Sequence, residues 1–129
     1  MLTRVVAAGL ALAFFAGLVV SGTSPSRAGE ADVVDVKVTK SAPGIFRFDV
    51  SVRHGDTGWE HYANRWEIVG PDGAVLGRRE LAHPHENEQP FTRSLGGVMI
   101  PEQVSEVIVR AHDSVHGLGG RQMKVEVPH

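Results

Sequence analysis

Apolar and polar residues alternate along much of the chain between positions 33 and 127. Val34, Val36 and Val38 are separated by charged or hydroxyl side chains, and the stretch from Phe46 to Val52 follows the same rule. Because successive side chains of a strand point to opposite faces of a sheet, this alternation predicts half-buried β-strands. Further stretches of strand length lie at 62–69, 73–81, 91–100, 104–111 and 122–127.

Turn-forming residues separate these stretches. Proline and glycine occur together at 43–44 and in Gly70-Pro71-Asp72-Gly73, which predicts tight turns. Gly96-Gly97 interrupts the fifth stretch and predicts a bulge or a change of sheet. No helical pattern occurs after residue 28, so the fold class is predicted to be all-β, a seven-stranded antiparallel sandwich.

The third stretch carries the largest predicted core side chain. Trp66 and Ile68 share one face of this strand, whereas Arg65 and Glu67 lie on the other. We therefore expect Trp66 and Phe48 to be buried on facing or adjacent strands.

The first 28 residues have the organisation of a secretory signal peptide. A positively charged start is followed by an apolar or glycine run at 5–20, and Ser26 and Ala28 place small residues three and one positions before a cut at Gly29. An uncleaved membrane anchor is the alternative, but this run is shorter than the roughly 20 residues that span a bilayer. We expect export to the periplasm or the medium, no membrane anchor after cleavage, and a single mature domain at 29–129.

Composition excludes several function classes. The chain has no cysteine, which removes disulfides, thiolate metal sites, cysteine nucleophiles and a cysteine-linked lipid anchor. Its net charge of -2 argues against nucleic-acid binding. The consecutive residues His112-Asp113-Ser114 cannot form a hydrolytic triad by themselves, so we expect a binding protein and not an enzyme.

The carboxy-terminal part, from Phe91 to Pro128, carries a resemblance. Its segment IPEQVSEVIVRAHDSVHGLGGRQMKVEVP resembles the last three strands of fibronectin type III and immunoglobulin-like domains. Two features depart from that pattern, since no cysteine pair joins the sheets and Val107 stands near the usual position of a corner tyrosine. The resemblance implies a two-sheet sandwich and no particular activity.

Strand direction predicts where the loops lie. In an antiparallel sandwich alternate connections fall at the same end, so the loops at 54–61, 82–90 and 112–120 should meet at one pole, provided that one strand fills the interval between 90 and 101. Six of the seven histidines belong to these loops. They are His54, His61, His83, His85, His112 and His116.

Imidazole together with carboxylate suits Cu(II) or Zn(II), so a divalent transition metal is the first hypothesis for this pole. One donor is expected from each loop: His54 or His61, His83 or His85, and His112 or His116. The rings flanking Pro84 are expected to point apart. The same loops carry a predicted binding surface of Trp59, Glu60, Glu86 and Asp113, in which Trp59 either plugs the core or offers a platform to a ligand.

The alternative is a metal-free accessory module that contacts a protein partner in the periplasm. Its histidines would tie loops together or respond to pH.

Overall fold

The computed structural model describes residues 29–129, which contain seven β-strands in two antiparallel sheets. The strands are β1 (Asp32–Ala42), β2 (Ile45–Arg53), β3 (Ala63–Val69), β4 (Val75–Glu80), β5 (Phe91–Met99), β6 (Glu106–Asp113) and β7 (Met123–Glu126). One sheet has the order β1-β2-β5 and the other the order β4-β3-β6-β7. The all-β class and the seven strands are confirmed, whereas the predicted signal peptide at 1–28 lies outside the described residues.

The buried faces of the two sheets enclose one apolar core. Phe46 and Phe48 of β2 and Trp66 and Ile68 of β3 are fully buried in it. The predicted burial of Trp66 and Phe48 is confirmed, and the two side chains reach the same core from different sheets. Within residues 29–129, no helix has the length and apolarity needed to cross a membrane.

The glycine pair in β5 forms a bulge. Phe46 pairs with Val98 and Phe48 with Leu95, so two residues of β5 face one residue of β2. Gly97 has a φ of +67°, a conformation that favours glycine. Strand β5 stays in one sheet, so a single strand fills the interval between 90 and 101. The three histidine-bearing loops therefore emerge at the same end of the domain, which is here called the histidine pole.

Glu67 differs from the pattern expected for an outward-facing residue. Its side chain is only 2% exposed because Arg65, Arg78 and Arg110 cover it, with nitrogen–oxygen distances between 2.9 and 3.1 Å. Burial opposes ionisation of this carboxyl, but the hydrogen bonds and charges of Arg65 and Arg110 outweigh it and lower the pKa of Glu67. The outer face of this sheet therefore contains a buried carboxylate beneath three guanidinium groups.

Candidate metal centre

Three side chains converge at the histidine pole: His54, His61 and Asp113, here called the His–Asp cluster. One potential ligand atom from each lies within 4.8 Å of the others. The Nε2 atoms of both histidines are 3.1 Å from Oδ2 of Asp113. They are also 3.0 and 3.1 Å from the carbonyl oxygen of Gly29. Four polar atoms thus surround one point between the two sheets.

Strand ends bring these residues together. His54 directly follows β2, and Asp113 is the last residue of β6, which belongs to the opposite sheet. The pairing of Ala63 with Asp113 holds the start of β3, and with it the loop that carries His61, beside β6. The cluster therefore closes the end of the core, and it is deeply buried: the side chains of His54 and Asp113 are fully buried, while that of His61 is 23% exposed.

The two oxygens of Asp113 have different partners. Oδ1 accepts hydrogen bonds from the backbone N–H groups of Val115 and His116, at 2.6 and 2.9 Å. Oδ2 is left to face the two imidazoles. Burial opposes ionisation of this carboxyl, but the two backbone donors, His61 and the charge of His54 together lower the pKa of Asp113. An ionised carboxylate in the cluster favours a cation.

Asp56 orients the His54 ring through Nδ1, the ring nitrogen that does not face Asp113. Its Oδ1 accepts a short hydrogen bond from Nδ1 of His54, and the carboxylate also accepts from the backbone N–H groups of Ala63 and His85, at 3.1 and 2.6 Å. This contact leaves Nε2 of His54 directed at the cluster, with its lone pair available in the neutral ring. Metal-binding histidines commonly have such a carboxylate partner. Sequence reasoning did not single out Asp56 from the other carboxylates of the loops. The one signal that could have identified it is its position two residues after His54.

His116 lies at the edge of the cluster. Its ring centroid is 5.1 Å from that of His61, and its Nε2 lies against Gly29, 3.0 Å from where a Cβ would be. The His116 ring is exposed and lies beside His61, the more accessible histidine of the cluster.

The structure places His83 and His85 in a separate stack. The His85 ring stacks on Phe91 with a centroid separation of 3.9 Å, and the exposed His83 ring lies 4.6 Å from His85. The expectation that the two rings point apart is therefore wrong, because the apolar face of Phe91 holds His85 beneath its neighbour. Burial, followed by the charge of Arg93, lowers the pKa of His85. Neither ring nitrogen of His85 has a hydrogen-bond partner among residues 29–129.

His112 lies on the outer face of β6, since it precedes the inward-facing Asp113. Its Nδ1 is 2.7 Å from Oδ1 of Asn64, and burial, followed by the charge of Arg65, lowers its pKa. The expected donor set of one histidine from each loop therefore needs correction. His54 and His61 converge as a pair, and the 112–120 side contributes a carboxylate.

The predicted binding surface is also partly revised. Asp113 is fully buried at the centre of the cluster and does not lie on the surface. Trp59 is 66% exposed and packs edge-on against Tyr62, with centroids 5.5 Å apart, so it does not plug the core. Glu60 and Glu86 are exposed, and Glu60 folds over Gly58.

Comparison with known proteins yields one informative relative. A protein of Halomicrobium mukohataei named "Putative lipoprotein" is 42% identical over 97 residues, which covers 75% of this chain and 47% of that protein. The chain thus spans about half the length of this curated relative. No family model matches the chain, and no solved structure matches it.

Proposed function

We propose that this protein is an exported binding module that holds one divalent transition metal ion, Cu(II) or Zn(II), in the His–Asp cluster. The observation that carries the proposal is the convergence of two imidazole nitrogens, a carboxylate oxygen and a carbonyl oxygen on one buried point. The proposed function involves no catalytic step.

The hydrogen-bonding capacity of these atoms favours a cation. A carboxylate and a carbonyl oxygen can only accept, and Nε2 of neutral His54 has no proton when Asp56 holds the one at Nδ1. Each Nε2 lies beside two oxygens that can only accept, so an atom that accepts lone pairs is needed between them. A divalent ion at this point would accept a lone pair from each of the four atoms at once.

The distances are suitable for this exchange. Two ligands about 2.1 Å from one ion are separated by 3.1 Å when they make an angle of about 95° at the metal. The separations between each Nε2 and Oδ2 of Asp113 are 3.1 Å. Each histidine therefore already has the spacing from the Asp113 carboxylate that two ligands on one ion require.

Two further observations support export and the fold family. The description of the Halomicrobium protein as a lipoprotein agrees with the predicted signal peptide, and we propose a periplasmic or secreted location. Strands β1, β2 and β5 in one sheet and β3, β6 and β7 in the other correspond to strands A, B, E and C, F, G of immunoglobulin-like sandwiches. This order supports an immunoglobulin-like or fibronectin type III-like sandwich, with β4 beside β3.

A metal-free interaction module is the second candidate. It is favoured by the exposed Trp59 and by Val115, which is 57% exposed in the turn that follows Asp113. In this case the hydrogen-bonded His–Asp cluster would tie the loops together, and the apolar side chains would contact a protein partner.

Calorimetric titration of the purified exported protein with Cu(II) and with Zn(II) tests the proposal. We expect one site, lost or strongly weakened in His61→Ala, whose partly exposed side chain makes this variant the least disruptive in the cluster. His112→Ala is the matched control, because it removes a histidine from the same pole but not from the cluster. No binding by the parent at micromolar concentrations, or equal binding by His61→Ala, would leave the interaction module as the better account.

A further inference from the structure

The first described residues are held firmly against the histidine pole. The backbone N–H of Val33 donates to the carbonyl of Arg121 at 2.9 Å, and the N–H of Arg121 donates to Oδ1 of Asp32 at 2.8 Å. Ala31 is fully buried. Residues 29–33, here called the amino-terminal segment, are therefore tied to the loop between β6 and β7.

Two glycines of that loop allow this close approach. A Cβ at Gly120 would lie 1.8 Å from the carbonyl oxygen of Ala31, and a Cβ at Gly119 would lie 1.9 Å from a carboxylate oxygen of Glu30. At position 120 only glycine fits without displacing the neighbouring backbone, whereas at position 119 a side chain would displace the Glu30 carboxylate. The Gly-Gly sequence at 119–120 thus positions the amino-terminal segment.

Gly29 itself contacts the cluster from this segment. Its carbonyl oxygen is within 3.1 Å of Nε2 of both His54 and His61, and its φ is +89°. A side chain here would meet Nε2 of His116 at 3.0 Å. The main chain of Gly29 therefore forms one wall of the proposed metal site.

The sequence predicts a leader cut at the peptide bond before this residue. Hydrolysis of the Ala28–Gly29 bond by the leader peptidase of the exporting cell adds the hydroxyl of water to the Ala28 carbonyl carbon and its proton to the Gly29 nitrogen. An amide nitrogen, whose lone pair is delocalised, becomes an amine. The amine is two bonds from the carbonyl carbon whose oxygen already faces the cluster.

We infer that the mature amino terminus completes the metal site, with the Gly29 amino nitrogen and carbonyl oxygen closing a five-membered chelate ring on the ion held by the His–Asp cluster. This inference rests on the proposed function and on the predicted leader cut. Three nitrogens and two oxygens would then surround the ion, a set that suits Cu(II). The precursor lacks the amine, so it binds Cu(II) more weakly, and the site acquires its full affinity only after export.

The test uses the full chain, expressed with its own leader in an exporting bacterium. Mass spectrometry of the purified protein should identify Gly29 as the first residue. Half of the sample is then acetylated selectively at the α-amino group, with peptide mapping to verify that Lys37, Lys40 and Lys124 remain unmodified. Both samples are titrated with Cu(II) and with Zn(II), and electron paramagnetic resonance counts the nitrogen ligands of Cu(II).

We expect acetylation to weaken Cu(II) binding by about tenfold or more, since removal of a hydrogen-bond partner of a metal ligand already lowers affinity by at least about that factor. The number of nitrogen ligands should fall from three to two. Equal affinity and an equal nitrogen count in the two samples would overturn the inference while leaving the proposed function intact. A first residue other than Gly29 would also overturn it. Absence of binding in both samples, with Cu(II) and with Zn(II), would refute the proposed function as well.

Discussion

Replacing Asp56 with asparagine would remove one carboxylate oxygen and one negative charge from behind the His–Asp cluster. The variant keeps the shape of the side chain and leaves every proposed ligand in place. Asp56 is fully buried, so water cannot substitute for the lost acceptor. The change therefore separates orientation of a ligand from ligation itself.

The structure sets the size of the expected effects. Asp56 accepts from Nδ1 of His54, from the Ala63 N–H and from the His85 N–H. In the asparagine variant the amide oxygen can still accept from His54 and Ala63, but the NH2 group then faces the His85 N–H, which loses its acceptor. One unpaired buried donor lowers the free energy of unfolding by about 1–3 kcal/mol. For about 100 residues, each kcal/mol lowers Tm by about 4–8 °C. Loss of the carboxylate partner of a metal-binding histidine lowers metal affinity by about 10–100-fold.

The assay combines thermal unfolding of the metal-free protein with Cu(II) and Zn(II) titration at a temperature where both proteins are folded. Asp72→Asn is the matched control, because it makes the same chemical change in an exposed turn at the opposite pole. There Oδ1 of Asp72 accepts a hydrogen bond from a backbone N–H at 3.1 Å. We expect unchanged metal affinity in this control. A folded Asp56→Asn protein that binds metal as tightly as the parent would refute the assignment of Asp56 as the residue that orients His54.

Three other predictions concern stability. Trp66→Ala should lower the free energy of unfolding by about 3–5 kcal/mol, measured by urea denaturation, because it empties the largest fully buried site. Glu67→Gln should be less stable than the parent at neutral pH by about 1–3 kcal/mol, since the lowered pKa means that the ionised form stabilises the folded state. This difference should disappear as the pH falls through the folded-state pKa, whereas Glu80→Gln, at an exposed position, should show little difference. Gly120→Ala should lower Tm and weaken metal binding because its Cβ would lie 1.8 Å from a backbone oxygen, whereas Gly96→Ala has open space and should not.

One result would contradict each of the three stability predictions. Parental stability of the Trp66 variant would mean that this ring is not in the core. A Glu67→Gln deficit that persists unchanged in acid would mean that ionisation of Glu67 is not its source. Equal behaviour of the two glycine variants would mean that the amino-terminal segment is not clamped by the loop between β6 and β7.

The sequence alone determined the strands and the end at which the loops meet. Period-two alternation depends on local backbone geometry, which any strand shares, so the burial of Phe48 and Trp66 followed directly from it. Antiparallel direction then sorted the loops by parity. For this reason the convergence of histidine-bearing loops could be inferred without coordinates.

Only the tertiary structure decided which side chains share a site. His112 and Asp113 are neighbours in sequence, yet they face opposite sides of β6, and only Asp113 reaches His54 across the two sheets. The stacking of His85 on Phe91 and the approach of Gly29 to the cluster depend on packing between residues far apart in the chain. Such contacts are set by the separation and register of the two sheets, which no local pattern encodes, and they make His54, His61 and Asp113 the candidate centre.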